Sequence, residues 1–202
     1  MGRVIVVGSI NQDVTVEVDR LPRPGETLSG RSVAYRLGGK GANQAAAAAH
    51  GGAETLFVGA VGSDASGASL RDELASHGVD VSQLLDADTT TGTAFITVSA
   101  DGENTIVLDA GANGRVGEDA LDAVDDLGTG DVLVLQGEVL PATNAAAVAA
   151  ARAAGARVVL NLAPVYDVDD TVLKEVDVLV VHEHPGARGA GLLEELGAGA
   201  AL

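Results

Sequence analysis

The feature that most restricts this chain is a recurrence of short, unbroken apolar runs separated by alanine-rich stretches of helical length. Val4–Val7, Thr55–Val61, Asp131–Leu135, Arg157–Leu160 and Asp177–Val181 are the runs. Ala42–His50, Ala65–His77, Asp119–Leu127 and Thr143–Gly155 read as helices between them. A strand apolar at successive positions is covered on both faces. A parallel sheet with helices on both faces provides that cover, so the expected fold class is α/β.

Two stretches do not fit such a core. Asp13–Val18 alternates polar and apolar, the period of a strand wet on one side, and Ser32–Arg36 reads as another short strand. Leu21-Pro22-Arg23-Pro24-Gly25-Glu26 between them is turn chemistry. Thr93–Val98 and Thr105–Leu108 form a hairpin around Asp101-Gly102. Together the segments at about 13–36 and 93–108 predict a small, one-faced β-sheet laid over the core as a lid. A length of 202 residues suits one domain over 1–202, since two separate cores would each be too small.

Composition removes several functions. The net charge of −17 repels phosphate backbones and anionic lipid heads, so neither nucleic acid nor a membrane surface is an expected partner. Aromatic residues at 2% offer no stacking platform for bases. A 47% hydrophobic fraction is enough to bury a core, and the absence of cysteine excludes thiol chemistry and disulfides. No run approaches the length of a membrane span and no charged leader precedes Val4, so a cytoplasmic location is expected. The acidity itself has two readings: drift in a GC-rich genome, or adaptation to high salt that screens self-repulsion.

Gly38-Gly39-Lys40-Gly41-Ala42-Asn43-Gln44-Ala45 is the strongest local signal. Glycines ahead of a helix admit close backbone approach and leave the first helical N–H groups free for a polar or anionic ligand, with Lys40 and Asn43 as added donors. A tight turn with small-residue packing explains the same glycines. Lys40 is followed by glycine, so this is not a Walker loop, and Val4–Val7 does not run into a dinucleotide-binding glycine turn. Asn11 and Asp13 follow the first apolar run, at the strand end where α/β sheets bind ligands. A carboxylate there can accept from two neighbouring hydroxyls of a sugar; an Asx turn is the structural alternative. His50 and His77 end helices beside glycine and carry no assigned chemistry, and no metal site is expected.

Gly8-Ser9-Ile10-Asn11-Gln12-Asp13, Leu21 to Thr27 and the Gly38–Ala45 stretch together resemble the PfkB carbohydrate kinase family, its ribokinase branch in particular. The likeness continues through Thr91-Gly92-Thr93-Ala94, Ala110-Gly111-Ala112-Asn113, Gln136-Gly137-Glu138 and Asn161-Leu162-Ala163-Pro164. It implies a ribokinase-like fold and ATP-dependent phosphorylation of D-ribose at its 5-hydroxyl, with Mg²⁺ and a monovalent cation as cofactors. Asn11 and Asp13 would hold ribose hydroxyls, Gly39, Lys40 and Asn43 would line the sugar site, and Glu138 would reach it from the next strand end. The lid would pair with a second lid in a homodimer. The family's Gly-Ala-Gly-Asp segment, which supplies the catalytic base and an anion hole, is missing; Gly197-Ala198-Gly199-Ala200 lacks the aspartate. The family base would therefore lie beyond Leu202. Its Asn-x-x-Glu motif is replaced by His182-Glu183-His184-Pro185. The expectation is the sugar-binding portion of such a kinase, without turnover of its own; a non-catalytic truncated paralogue that binds sugar or a partner is the alternative.

Overall fold

A computed structural model describes residues 2–181. Six parallel strands form the main sheet in the order β10-β9-β8-β1-β4-β5. They are β1 (Val4–Val7), β4 (Thr55–Gly62), β5 (Asp80–Ala87), β8 (Val132–Gln136), β9 (Arg157–Asn161) and β10 (Val178–Val180). Alternation along β1 assigns the two faces. Ile5 and Val7 pack with Leu133, Leu135, Val158 and Leu160 against α4 (Pro141–Ala154). Val6 packs the other way with Phe57 and Val61, under α1 (Lys40–His50) and α2 (Ala65–Ser76). Helices therefore cover both faces, as the apolar runs require.

A separate four-stranded sheet has the order β3-β2-β6-β7, from β2 (Asn11–Glu17), β3 (Ser32–Gly38), β6 (Gly92–Val98) and β7 (Asn104–Asp109). Its central pair β2–β6 is parallel and its outer pairs are antiparallel. The lid segments thus widen to 11–38 and 92–109. One expectation needs correction: the lid is not one-faced. Tyr35, Val14, Phe95 and Val107 form one cross-strand row, and Ile96 and Ile106 pair in the next row, on the opposite face. Apolar side chains reach solvent on both faces, Tyr35 at 67% and Val107 at 68% exposed on one and Ile106 at 57% on the other.

Three local expectations also change. Strand β5 was not anticipated; its solvent-facing Asp80, Leu85 and Asp86 break any period, because it lies at one edge of the described sheet. The single helix expected over Asp119–Leu127 is two short turns, Glu118–Ala120 and α3 (Asp122–Asp125). Aspartates favour caps and turns over helix interiors, and here burial of Ala120, Leu121, Ala123 and Val124 holds the segment in place. His50 and His77 meet edge to face, with ring nitrogens 3.3 Å apart. The histidines and glutamate at 182–184, and Gly197–Ala200, lie outside the described residues.

Candidate sugar-binding site

The site is assembled where β1 ends and the lid begins. After Val7 the chain passes through Gly8-Ser9-Ile10 and turns directly into β2, which carries Asn11 and Asp13 away from the core. Strand β3 returns to Gly38, and Gly39 reverses the chain into α1 with φ 90°. A Cβ at Gly39 would stand 2.8 Å from the Ser9 carbonyl oxygen and 2.9 Å from Ile10 Cα, so only glycine lets the two segments touch. Strand β8 ends at Gln136, and Glu138 follows it toward the same spot.

Hydrogen bonds join these pieces. Ser9 Oγ donates to Glu138 Oε2 at 2.5 Å, and the Lys40 N–H donates to the same oxygen at 3.0 Å. The Gly41 N–H donates to Ser9 Oγ at 3.3 Å, the Ala42 N–H to the Ser9 carbonyl at 2.9 Å, and the Asn43 N–H to the Gly39 carbonyl at 3.0 Å. The N–H groups of Lys40, Gly41 and Ala42, the first three residues of α1, are thereby taken. The expectation of free N–H groups awaiting an anion is corrected: Ser9, Gly39 and Glu138 fill that role from within the protein.

Asp13 is half-buried, its carboxyl lying against Gly38 where any Cβ would overlap it. Burial raises its pKa, and the nearby Glu138 charge raises it further. The two carboxylates are therefore within electrostatic reach of each other. Asn11 is buried, with its Oδ1 accepting from Asn113 Nδ2 at 2.7 Å, which leaves its amide NH₂ as the donor it can offer a ligand. Asn113 also accepts from the Ile10 N–H at 2.9 Å and donates to the Ile10 carbonyl at 3.2 Å. The turn between core and lid is thus locked from a 3₁₀ turn at Gly111–Arg115. Lys40 is half-buried at the start of α1, and Asn43 stands exposed one turn along.

Of the residues expected from sequence, Asn11, Asp13, Gly39, Lys40 and Glu138 come together, and Asn43 flanks them on the outer side of α1. Ser9 and Asn113, which the sequence presents only as members of longer motifs, orient Glu138 and Asn11. Small polar residues inside glycine-containing turns, Gly8-Ser9 and Gly111-Ala112-Asn113, are the signal the sequence offers. Among the described residues no group of three or more His, Asp or Glu side chains could hold a metal ion.

Residues 1–193 match the pfkB family carbohydrate kinase. The chain belongs to the PfkB family. It is 37% identical over 180 residues to the ribokinase of Haemophilus influenzae, covering 88% of this chain and 59% of that protein. With the ribokinase of Arabidopsis thaliana it shares 34% identity over 202 residues, covering 95% of this chain and 52% of that one. Among solved structures, Arabidopsis thaliana ribokinase complexed with ribose and ATP superposes with a TM-score of 0.81 at 33% identity, over 95% of this chain and 64% of that one. The ribokinase of Thermotoga maritima gives a TM-score of 0.84 at 26% identity, over 100% of this chain and 65% of that one. The PfkB chain described here spans less than two thirds of the length of these relatives. Its fold is ribokinase-like: a parallel six-stranded sheet with helices and a small mixed sheet.

Proposed function

We propose that this PfkB chain is the sugar-binding part of a ribokinase-type kinase, which moves the γ-phosphoryl group of ATP to the 5-hydroxyl of D-ribose. The observation that carries the reading is the convergence of Asp13, Glu138 and the Asn11 amide beside the Gly39 backbone. Two carboxylates within electrostatic reach repel unless the guest brings hydrogen-bond donors, and a polyol brings several. Adjacent hydroxyls match the two oxygens of Asp13, the Asn11 NH₂ can donate to a sugar oxygen, and Lys40 and Asn43 line the opening. The named relatives and the solved ribose–ATP complex support the same substrate class.

In this reading the chain's own residues bind and orient the sugar. The lid, joined to Asp13 through β2, shields it from water, which matters because water competes with the sugar for the phosphoryl group. ATP, Mg²⁺ and a monovalent cation are the proposed co-reactants, and an ATP-consuming reaction fits the cytoplasm. Among the described residues no helix is long and apolar enough to cross a membrane. The exposed row of Tyr35, Phe95 and Val107 is proposed to meet the lid of a second copy in a homodimer.

Calorimetric titration with D-ribose tests the site. Asp13→Ala removes the acceptor shared by two hydroxyls, each such bond being worth about 1.5–3 kcal/mol when charged. Binding should fall below detection in that variant. An unchanged affinity would show that Asp13 does not hold the sugar.

A further inference from the structure

We propose that Ser9 is a positioning residue: together with the Lys40 N–H, its hydroxyl fixes one oxygen of Glu138 at the amino end of α1, leaving the other oxygen for a sugar hydroxyl. The inference rests on the sugar-site reading above and adds to it the group that aims Glu138.

The hydrogen-bond directions are determined by the partners. Ser9 Oγ has one proton and two lone pairs. The Gly41 N–H can only donate, so Ser9 accepts from it, and the hydroxyl proton is left to point at Glu138 Oε2. That oxygen also receives the Lys40 N–H, so both of its lone-pair directions are used. Glu138 Oε1 has no such protein donor among the described residues, and Glu138 is only half-buried. One oxygen is anchored and the other is presented.

Ser9 has no freedom to do otherwise. It is fully buried, and α1 packs so closely over it that a Cβ at Gly41 would stand 2.7 Å from the Ser9 nitrogen. Gly8 before it lies under the Gln136 amide. The arrangement also couples two elements distant in sequence, since Glu138 caps a helix that begins 98 residues earlier. Gly39 itself offers no capping side chain, so α1 depends on Ser9 and Glu138 for its first two donors. Swinging Glu138 away would uncap the helix. The carboxylate is therefore held opposite Asp13 before any sugar arrives, which is the preorganisation that strengthens binding.

A double-mutant cycle on D-ribose affinity, read by calorimetry on the full 202-residue chain, tests this. Ser9→Ala should weaken binding about tenfold, the value of one hydrogen bond to a charged group. In a Glu138→Ala background the same change should alter affinity less than about twofold, because the residue through which Ser9 acts is gone. Equal losses in both backgrounds, or no loss in the first, would overturn the inference while leaving the site intact. If Glu138→Ala itself leaves ribose affinity unchanged, or the unmodified chain binds no ribose, it is the sugar-site reading that fails. Should Ser9→Ala not fold, Ser9→Cys keeps a weak donor of similar shape. Its affinity should then fall between the two, and full affinity in that variant would count against the proposal.

Discussion

Half-buried against Gly38 and facing the Glu138 charge, the Asp13 carboxyl titrates above its ordinary range, with desolvation the larger cause. The folded protein therefore holds that proton more tightly than the unfolded chain does. The sign follows: stability declines as pH rises from the ordinary carboxylate range through the raised pKa, and above it the full penalty remains. Asp13→Asn should accordingly melt higher than the parent at pH 7 and lose that advantage near pH 3, while binding no ribose. A lower melting temperature at pH 7 would show that the charge is not strained. The same shift makes sugar affinity fall as pH drops toward the raised pKa, since only the ionised carboxylate accepts from two hydroxyls. Glu26 is displaced oppositely: the Arg20 guanidinium, helped by the Arg23 N–H, holds its carboxyl down at about 2. It is solvent-exposed, so its role is confined to shaping the turn at 20–26.

The two helices near the site are capped differently: α1 by Ser9 and Glu138 from distant segments, α2 by Asp64 immediately before it. Asp64 caps α2 by accepting from the Gly67 N–H at 2.8 Å, and it also accepts from the Thr91 N–H at 2.9 Å and its hydroxyl at 2.6 Å, next to the first residue of β6. Asp64→Ala should cost about 1 kcal/mol in urea denaturation. Hydrogen exchange should quicken at Thr91 as well as in the first turn of α2; protection unchanged at Thr91 would refute the link. At α1 the demanding residue is Gly39. Alanine there meets the backbone of Ser9, Ile10 and Asn11 at 2.8–3.0 Å and adopts φ 90°, and no flexible side chain can give way. Gly39→Ala should destabilise by about 2 kcal/mol or more. A variant of parental stability would mean that the β3–α1 junction can relax elsewhere.

At the scale of the molecule, a charge of −17 on 202 residues sets up self-repulsion that few cations offset. The ion pairs among the described residues, such as Arg20–Glu26 and Arg152–Asp177, are partly exposed and contribute little. Screening should therefore raise the melting temperature in molar KCl relative to dilute buffer. A flat or falling curve would favour compositional drift over salt adaptation. The lid gives a second whole-molecule expectation. If the row of Tyr35, Phe95 and Val107 meets another lid, Val107→Asp should shift the protein to monomer in sedimentation at micromolar concentration, with the core's melting temperature retained. A parent that is already monomeric would remove the proposed homodimer.

The sequence by itself determined the architecture of the core, because continuous apolar strands such as Val4–Val7 admit no solution but cover on both faces. It also determined that Gly38–Gly41 would open a helix and that Asn11 and Asp13 would follow a strand end, since glycine spacing and strand-end polarity are local properties; their meeting in one site was implied only by the family resemblance. Strand β5 stayed hidden, because an edge strand need not be apolar, and Asp119–Leu127 carried a helical pattern that its aspartates undid. The apparent anion site at the start of α1 is filled for a different physical reason: whether a helix terminus is free depends on what the rest of the chain brings to it. Ser9 and Glu138 stand 129 residues apart, and Asn11 and Asn113 stand 102 apart. Only the parallel crossing of β1 beside β8, and the fold of the lid back onto the core, puts those pairs in hydrogen-bond contact. Residue chemistry was legible along the chain, but which donor meets which acceptor was decided by the tertiary structure, because hydrogen bonds act over about 3 Å whatever the separation in sequence.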